Sequence, residues 1–266
     1  MKLFLRSAKS RPAKNAGLAM AMMLIMLVAV AAPGVARATT SGKAPRVART
    51  LVVPNAKPPV TVLSAVPFFD NLDSYLNGST IIGQGGWDGW DSNLGANATV
   101  TNAQSNSSAN SVSIAPSADI VQEFTGATSG KWYAKAQTYV PTGMTGNIWF
   151  IVMNTYSSGG AKQWSIQVAL SAATVGNYRE DLGLDASTST ILDKWVELRA
   201  EIDLDANTAD IFYNGTLFDT HTYAVGAGVT TVEAFDLYAD GTSGGYMDDL
   251  YLDSTIPVEL SSFQID

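Results

Sequence analysis

Lys194-Trp195-Val196-Glu197-Leu198-Arg199-Ala200-Glu201-Ile202-Asp203-Leu204 alternates without a break: Val196, Leu198, Ala200, Ile202 and Leu204 are apolar, and mostly charged residues stand between them. Side chains that recur every second residue face one side of an extended chain. The stretch therefore predicts a strand with one face on a core and the other in water. A few residues on, Ala209-Asp210-Ile211-Phe212-Tyr213 and Thr216-Leu217-Phe218 flank Asn214-Gly215. Asn-Gly accepts positive φ at both central turn positions, which is what a type I′ hairpin needs.

The same reading extends outward. Strands are expected at Ser111–Ile114, Ile120–Phe124, Trp132–Val140, Asn147–Asn154, Gln163–Leu170, Thr231–Ala239 and Tyr246–Leu252, where Val, Ile, Thr and aromatic residues gather between Gly, Asn, Asp and Ser clusters. Helical periodicity is missing. Short strands with turns every 8–12 residues or so predict an all-β fold, a two-sheet antiparallel β-sandwich of the jelly-roll kind. Residues 92–110 read as a polar excursion between strands, and no long internal repeat suggests a solenoid or propeller.

Upstream, Lys2, Arg6, Lys9, Arg11 and Lys14 precede an apolar run from Ala16 to Ala32, which Pro33-Gly34 ends before Ala36-Arg37-Ala38. Residues 1–38 thus read as a signal peptide cleaved after Ala38, with an uncleaved N-terminal anchor as the alternative, since the run falls about one turn short of the roughly 20 residues that span a bilayer. A secreted or cell-surface protein with no membrane span in the mature chain is expected. Residues 39–67 hold Pro45, Pro54, Pro58, Pro59 and Pro67 without lasting periodicity and read as a linker or arm. The domain is expected over 68–254, followed by a tail at 255–266.

From Phe68 to Ser254 there are six Lys/Arg against twenty-two Asp/Glu, a balance that argues against nucleic acid and favours neutral ligands or cations. Cysteine is absent and His221 is the lone histidine. A disulfide framework and thiolate or paired-imidazole zinc sites are excluded.

Five motifs in order, Phe69-Asp70-Asn71-Leu72-Asp73-Ser74-Tyr75, Gly83-Gln84-Gly85-Gly86-Trp87, the Trp195–Leu204 strand, Tyr213-Asn214-Gly215 and Tyr246-Met247-Asp248-Asp249-Leu250, resemble the concanavalin A-like lectin/glucanase superfamily. Within it they resemble LamG-like jelly-roll modules of bacterial secreted proteins. The resemblance implies a concanavalin A-like sandwich and spans lectins, hydrolases, lyases and adhesion modules, so it leaves function open. Ile256-Pro257-Val258-Glu259-Leu260-Ser261-Ser262-Phe263 resembles the opening of a type IX secretion sorting tail, without the residues that would complete one.

The Glu-x-Asp-x-x-Glu motif of the glucanase branch is absent. Its nearest counterpart, Glu233 with Asp236 and Asp240, has the wrong spacing, because a regular strand sets Glu233 on the opposite face. His221 lacks a nucleophile-elbow partner and reads as an exposed strand residue. Asp248 and Asp249 point to opposite faces of one strand, Asp248 with Leu250 and Leu252. A buried carboxylate there needs donors or a metal. With Asp70 and Asp73, which the related modules place nearby, they form a candidate structural Ca²⁺ set; hydrogen bonding to backbone N–H groups is the alternative.

Alternation also proposes a ligand face. Trp132, Ala134, Ala136 and Val140 read as core, as do Trp164, Ile166, Val168 and Leu170. Tyr133, Lys135, Gln137, Gln163 and Gln167 then point outward. Asn147–Asn154 is apolar on both faces, so Trp149 lines a cleft or lies under a loop. A shallow concave site of Tyr133, Lys135, Gln137, Trp149, Gln163, Gln167, Tyr178 and Arg179 is the candidate, while Trp87 and Trp90 are expected to cap the sandwich. The favoured function is a non-catalytic module for a glycan or another extracellular polymer. The alternatives are a structural or adhesive envelope protein and, behind it, a glycan hydrolase or lyase.

Overall fold

The computed structural model describes residues 63–179, 181–225 and 228–255. The expected signal segment, the arm up to residue 62 and the tail beyond Thr255 lie outside them. The strands are β1 (Ser64–Ala65), β2 (Phe68–Asp70), β3 (Trp87–Gly89), β4 (Thr99–Thr101), β5 (Ser111–Ile114), β6 (Asp119–Thr125), β7 (Lys131–Tyr139) and β8 (Asn147–Tyr156). After them come β9 (Lys162–Leu170), β10 (Thr174–Arg179), β11 (Gly183–Ser189), β12 (Trp195–Asp203), β13 (Thr208–Tyr213), β14 (Thr216–Thr222), β15 (Ala234–Asp240) and β16 (Gly245–Asp253).

They form two sheets. The first runs β1-β6-β15-β8-β9-β10-β11 with β3 added on β6, and the second runs β14-β13-β12-β7-β16-β5-β4 with β2 added on β16. Apart from the parallel β1–β6 pair, the strand pairs are antiparallel. Alternation on β12 is realised as read: Val196, Leu198, Ala200 and Ile202 are each at most 3% exposed. On its wet side, Glu197 and Glu201 bracket Arg199, and Glu197 also meets Lys135 of β7 at 3.5 Å. Asn214 and Gly215 both take positive φ, 51° and 72°, at the β13–β14 turn.

Between the sheets lies one apolar core. Phe124 and Phe150 pack on Phe235 with ring centroids 4.8 and 5.1 Å apart, edge-on or tilted as aromatic quadrupoles prefer. Trp87, expected to cap the sandwich, is buried in this core, and its Nε1 donates to Asp70 Oδ2 at 2.9 Å.

Three expectations are corrected. Val152 pairs Ile166 but Met153 pairs Trp164, so Ser165 is an extra residue on β9. This bulge moves Trp164 off the core face and buries Ser165, the reverse of the simple alternation. His221 is 6% exposed, with Nδ1 2.8 Å from the Thr222 carbonyl oxygen. The 92–110 excursion contains β4, and Asp73 Oδ1 accepts the Ala109 and Asn110 N–H groups within it. Among the described residues no helix is long and apolar enough to cross a membrane.

Candidate functional site

The outer face of the first sheet carries a second apolar cluster of Val121, Ile151, Met153, Tyr156 and Ala234, on which Trp90, Trp149 and Trp164 pack. It exists because β8 is apolar on both faces: Ile148, Phe150 and Val152 enter the core, and Trp149, Ile151 and Met153 face outward. Register fixes the layout. Across the sheet, Val121, Asp236, Ile151, Gln167 and Tyr178 form one row. Asp119, Tyr238, Trp149 and Ala169 form the next, and Trp164 stands opposite Met153 on the other side. Trp149 and Tyr238 thus bracket the Asp236–Ile151–Gln167 row from one side and Trp164 from the other. The enclosed groove has a volume of about 280 Å³, with Trp90 and Asp119 completing its lining.

Trp90 is brought there by a short 3₁₀ turn at Trp90–Ser92. Its ring lies 6.0 Å from that of Trp164 and nearly parallel to it, at 15°. Asp91, in left-handed backbone at φ 54°, pins the turn to the β8–β9 hairpin. Its Oδ1 accepts the Gly159 N–H at 2.7 Å and meets Lys162 Nζ at 2.6 Å, while its N–H donates to the Tyr156 hydroxyl. The Lys162 contact holds the Asp91 carboxyl below the usual carboxylate range. Lys162 in turn sits 5.1 Å over the Trp90 ring and 5.6 Å over that of Tyr156.

Asp119 and Asp236 are diagonal neighbours on β6 and β15, so their carboxyls lie on one face of the sheet close to each other. Two neighbouring carboxyls do not both ionise cheaply, so each raises the other's affinity for a proton. Burial pushes Asp119 up to about 6, opposed by its interaction with Asp236 and helped by the Asp91 charge. Asp236, 3% exposed, is driven well above the carboxylate range by burial and then by Asp119. Its Oδ1 has no N–H or hydroxyl donor among the described residues, and neither does the buried Trp149 Nε1 have an acceptor.

The proposed ligand residues divide between the two sides of the molecule. Trp149, Gln167 and Tyr178 come together at the groove, the Tyr178 ring 5.2 Å from Trp149. Tyr133, Lys135 and Gln137 lie on β7, on the outer face of the second sheet, with the core between them and Trp149. Gln163 supports a loop instead, accepting from Asn154 Nδ2 at 2.9 Å and donating to the Val225 carbonyl. Arg179 is held by Asp181 in a two-point contact and by Asp185 at 3.5 Å. Alternation missed Trp164 because of the bulge, and Trp90 because nothing in its loop announced the turn. Asp119, Asp236 and Tyr238 were visible as outward positions of β6 and β15, but only register puts them beside Trp149.

The four acids of the calcium set do not build an oxygen cage. Asp70 accepts from Leu72 N–H, the Tyr75 hydroxyl at 2.6 Å and Trp87 Nε1. Asp73 takes the Ala109 and Asn110 N–H groups and the Asn71 amide. Asp248 takes Asn106 and Ser107 N–H, and Asp249 takes Asn106 Nδ2. Lone pairs already engaged by N–H and hydroxyl donors do not fit a cation that wants 6–8 oxygens. Among the described residues no three such side chains converge as metal ligands.

No family model matches the chain, and no curated protein matches it in sequence. Solved structures do match in shape. A sialidase aligns at 9% identity over 74% of this chain and 19% of its own, with a TM-score of 0.51. The fold is a two-sheet antiparallel β-sandwich of the jelly-roll kind. The cellulose-induced protein Cip1 aligns at 15% identity over 71% of this chain and 97% of its own, TM-score 0.49. The alginate lyase Aly36B aligns at 11% over 70% and 96%, TM-score 0.47. At these identities the likeness is one of architecture.

Proposed function

We propose that this is an exported carbohydrate-binding protein that lays a glycan, or a polymer of similar chemistry, along the outer groove of its first sheet. One observation carries the reading: Trp90, Trp149, Trp164 and Tyr238 surround a row that offers Gln167 and Asp236. Flat aromatic faces suit the apolar face of a sugar ring, and convergent polar groups suit its hydroxyls. The basic and apolar start of the chain supports export, by the signal-peptide pattern of Lys2 to Ala38.

Binding rather than cleavage is favoured by the acids themselves. Retaining hydrolysis uses carboxyls about 5–5.5 Å apart and inverting hydrolysis about 6.5–9.5 Å, so that a sugar carbon or a water fits between them. Asp119 and Asp236 stand side by side on one sheet face, as diagonal neighbours of β6 and β15, rather than on opposite sides of the groove. A purely structural envelope role would leave the tryptophans of the groove without a task beyond packing.

The test is a glycan array followed by titration of the best ligand. Trp149→Ala and Trp164→Ala are expected to weaken binding at least tenfold, about 1.4 kcal/mol, while Trp195→Ala on the other sheet leaves it unchanged. Full binding by both groove variants would refute the reading.

A further inference from the structure

Within that carbohydrate reading, on which it rests, we propose that the groove selects a sugar bearing a free amine, its ammonium seated against Asp236 and Asp119 among the rings of Trp149, Trp164 and Tyr238. Asp236 is the anchor. It lines the groove, is 97% shielded from solvent, and its Oδ1 has no N–H or hydroxyl donor among the described residues. A protein does not bury an acid this way for stability, since an unpaired buried carboxyl destabilises the fold. Asp70, by contrast, is buried with three donors in place. What Asp236 lacks is a cationic donor, and an ammonium brings three N–H groups and a charge.

The surroundings select the same chemistry. Among the described residues no Lys, Arg or His side chain lines the groove. Lys162 at its edge is engaged by Asp91, and Arg179 by Asp181 and Asp185. Ring faces attract cations, and Lys162 over Trp90 shows the corner already doing so. The acidic domain adds a field that draws cations and repels anions. A neutral sugar can donate a hydroxyl to Asp236 but brings no positive charge to the two acids. An N-acetylated sugar has no charge, and a uronate adds a third acid to two. The expected order is amine, then neutral or N-acetyl, then carboxylate.

Calorimetry at about pH 6, where amino sugars are still cationic, decides the point with a glucosamine oligomer, its fully N-acetylated counterpart, an oligouronate and tetramethylammonium as probes. The glucosamine oligomer is expected to bind at least tenfold tighter than the N-acetylated one. Asp236→Asn, or Asp119→Asn should the first not fold, is expected to abolish that preference, so that the two oligomers bind with equal affinity. Equal affinity for the two oligomers would overturn the amine selectivity and leave the carbohydrate reading intact. Glucosamine preference that survives both Asp variants and Trp149→Ala would be diffuse attraction to an acidic surface and would also overturn it. Tetramethylammonium bound in a Trp149-dependent manner with no oligomer bound would support the cation seat and overturn the carbohydrate reading. Binding of no probe would overturn both.

Discussion

Asp70 and Asp236 are both buried carboxylates, and they differ in their donors. Asp70→Ala strands the Tyr75 hydroxyl and the Trp87 indole N–H in the interior. It is expected to cost about 3 kcal/mol, read from the midpoint of urea unfolding, because each orphaned buried donor costs about 1–3 kcal/mol. Asp236→Asn should do the opposite at neutral pH, since it removes a buried acid from beside Asp119. The direction follows from linkage. An acid whose folded pKa is raised keeps its proton longer in the native state, so its contribution is full below about pH 4 and is lost as the pH rises through the folded value. Asp119, pushed up to about 6, places that loss between about pH 4 and 6.5. Because Asp119 remains partly wet and screened, Asp236→Asn is expected to exceed the parent by about 1 kcal/mol at pH 7 and by nothing at pH 4. A gain at pH 4 equal to that at pH 7 would rule this coupling out.

Strands whose two faces differ in polarity were legible from sequence; those carrying an irregularity were not. β12 needed only its alternation, and β13–β14 only Asn214-Gly215. Gly215→Ala, forced to hold φ 72°, is expected to lose about 1 kcal/mol in thermal or chemical unfolding with ligand binding unaltered. β9 misled because Ser165 is inserted in its ladder, so Trp164 read as core. Deleting Ser165 would turn Trp164 inward and leave Asn154, the matching extra residue of β8, without its counterpart. The deletion is expected to destabilise the protein by several kcal/mol, as overpacking of a filled core does, and to remove Trp164 from the groove. Three of the eight proposed ligand residues were misplaced for a different reason. Alternation tells inside from outside but not which of two outsides, so Tyr133, Lys135 and Gln137 were joined to Trp149 across a core that separates them.

For the whole molecule, the excess of Asp and Glu is a stored repulsion that stable folding must overcome. Raising NaCl from about 0.02 to about 0.5 M is expected to raise the melting temperature by screening it. About 1 mM Ca²⁺ at matched ionic strength is expected to add nothing, because Asp70, Asp73, Asp248 and Asp249 already hold N–H and hydroxyl donors. A Ca²⁺-specific rise that Asp248→Asn removed would contradict that account. The six tryptophans sample the molecule usefully: Trp87 and Trp132 donate their indole N–H groups to Asp70 and to the Ser129 carbonyl, Trp195 packs on Tyr139 of the second sheet, and Trp90, Trp149 and Trp164 line the groove. The most direct measurement is therefore an NMR titration of isotope-labelled indoles with the best-binding oligosaccharide. The expected result is a saturable shift of the Trp149 indole with those of Trp90 and Trp164, while those of Trp87, Trp132 and Trp195 stay in place. Shifts confined to Trp195, with the three groove indoles unmoved, would put the ligand on the opposite sheet and contradict the account.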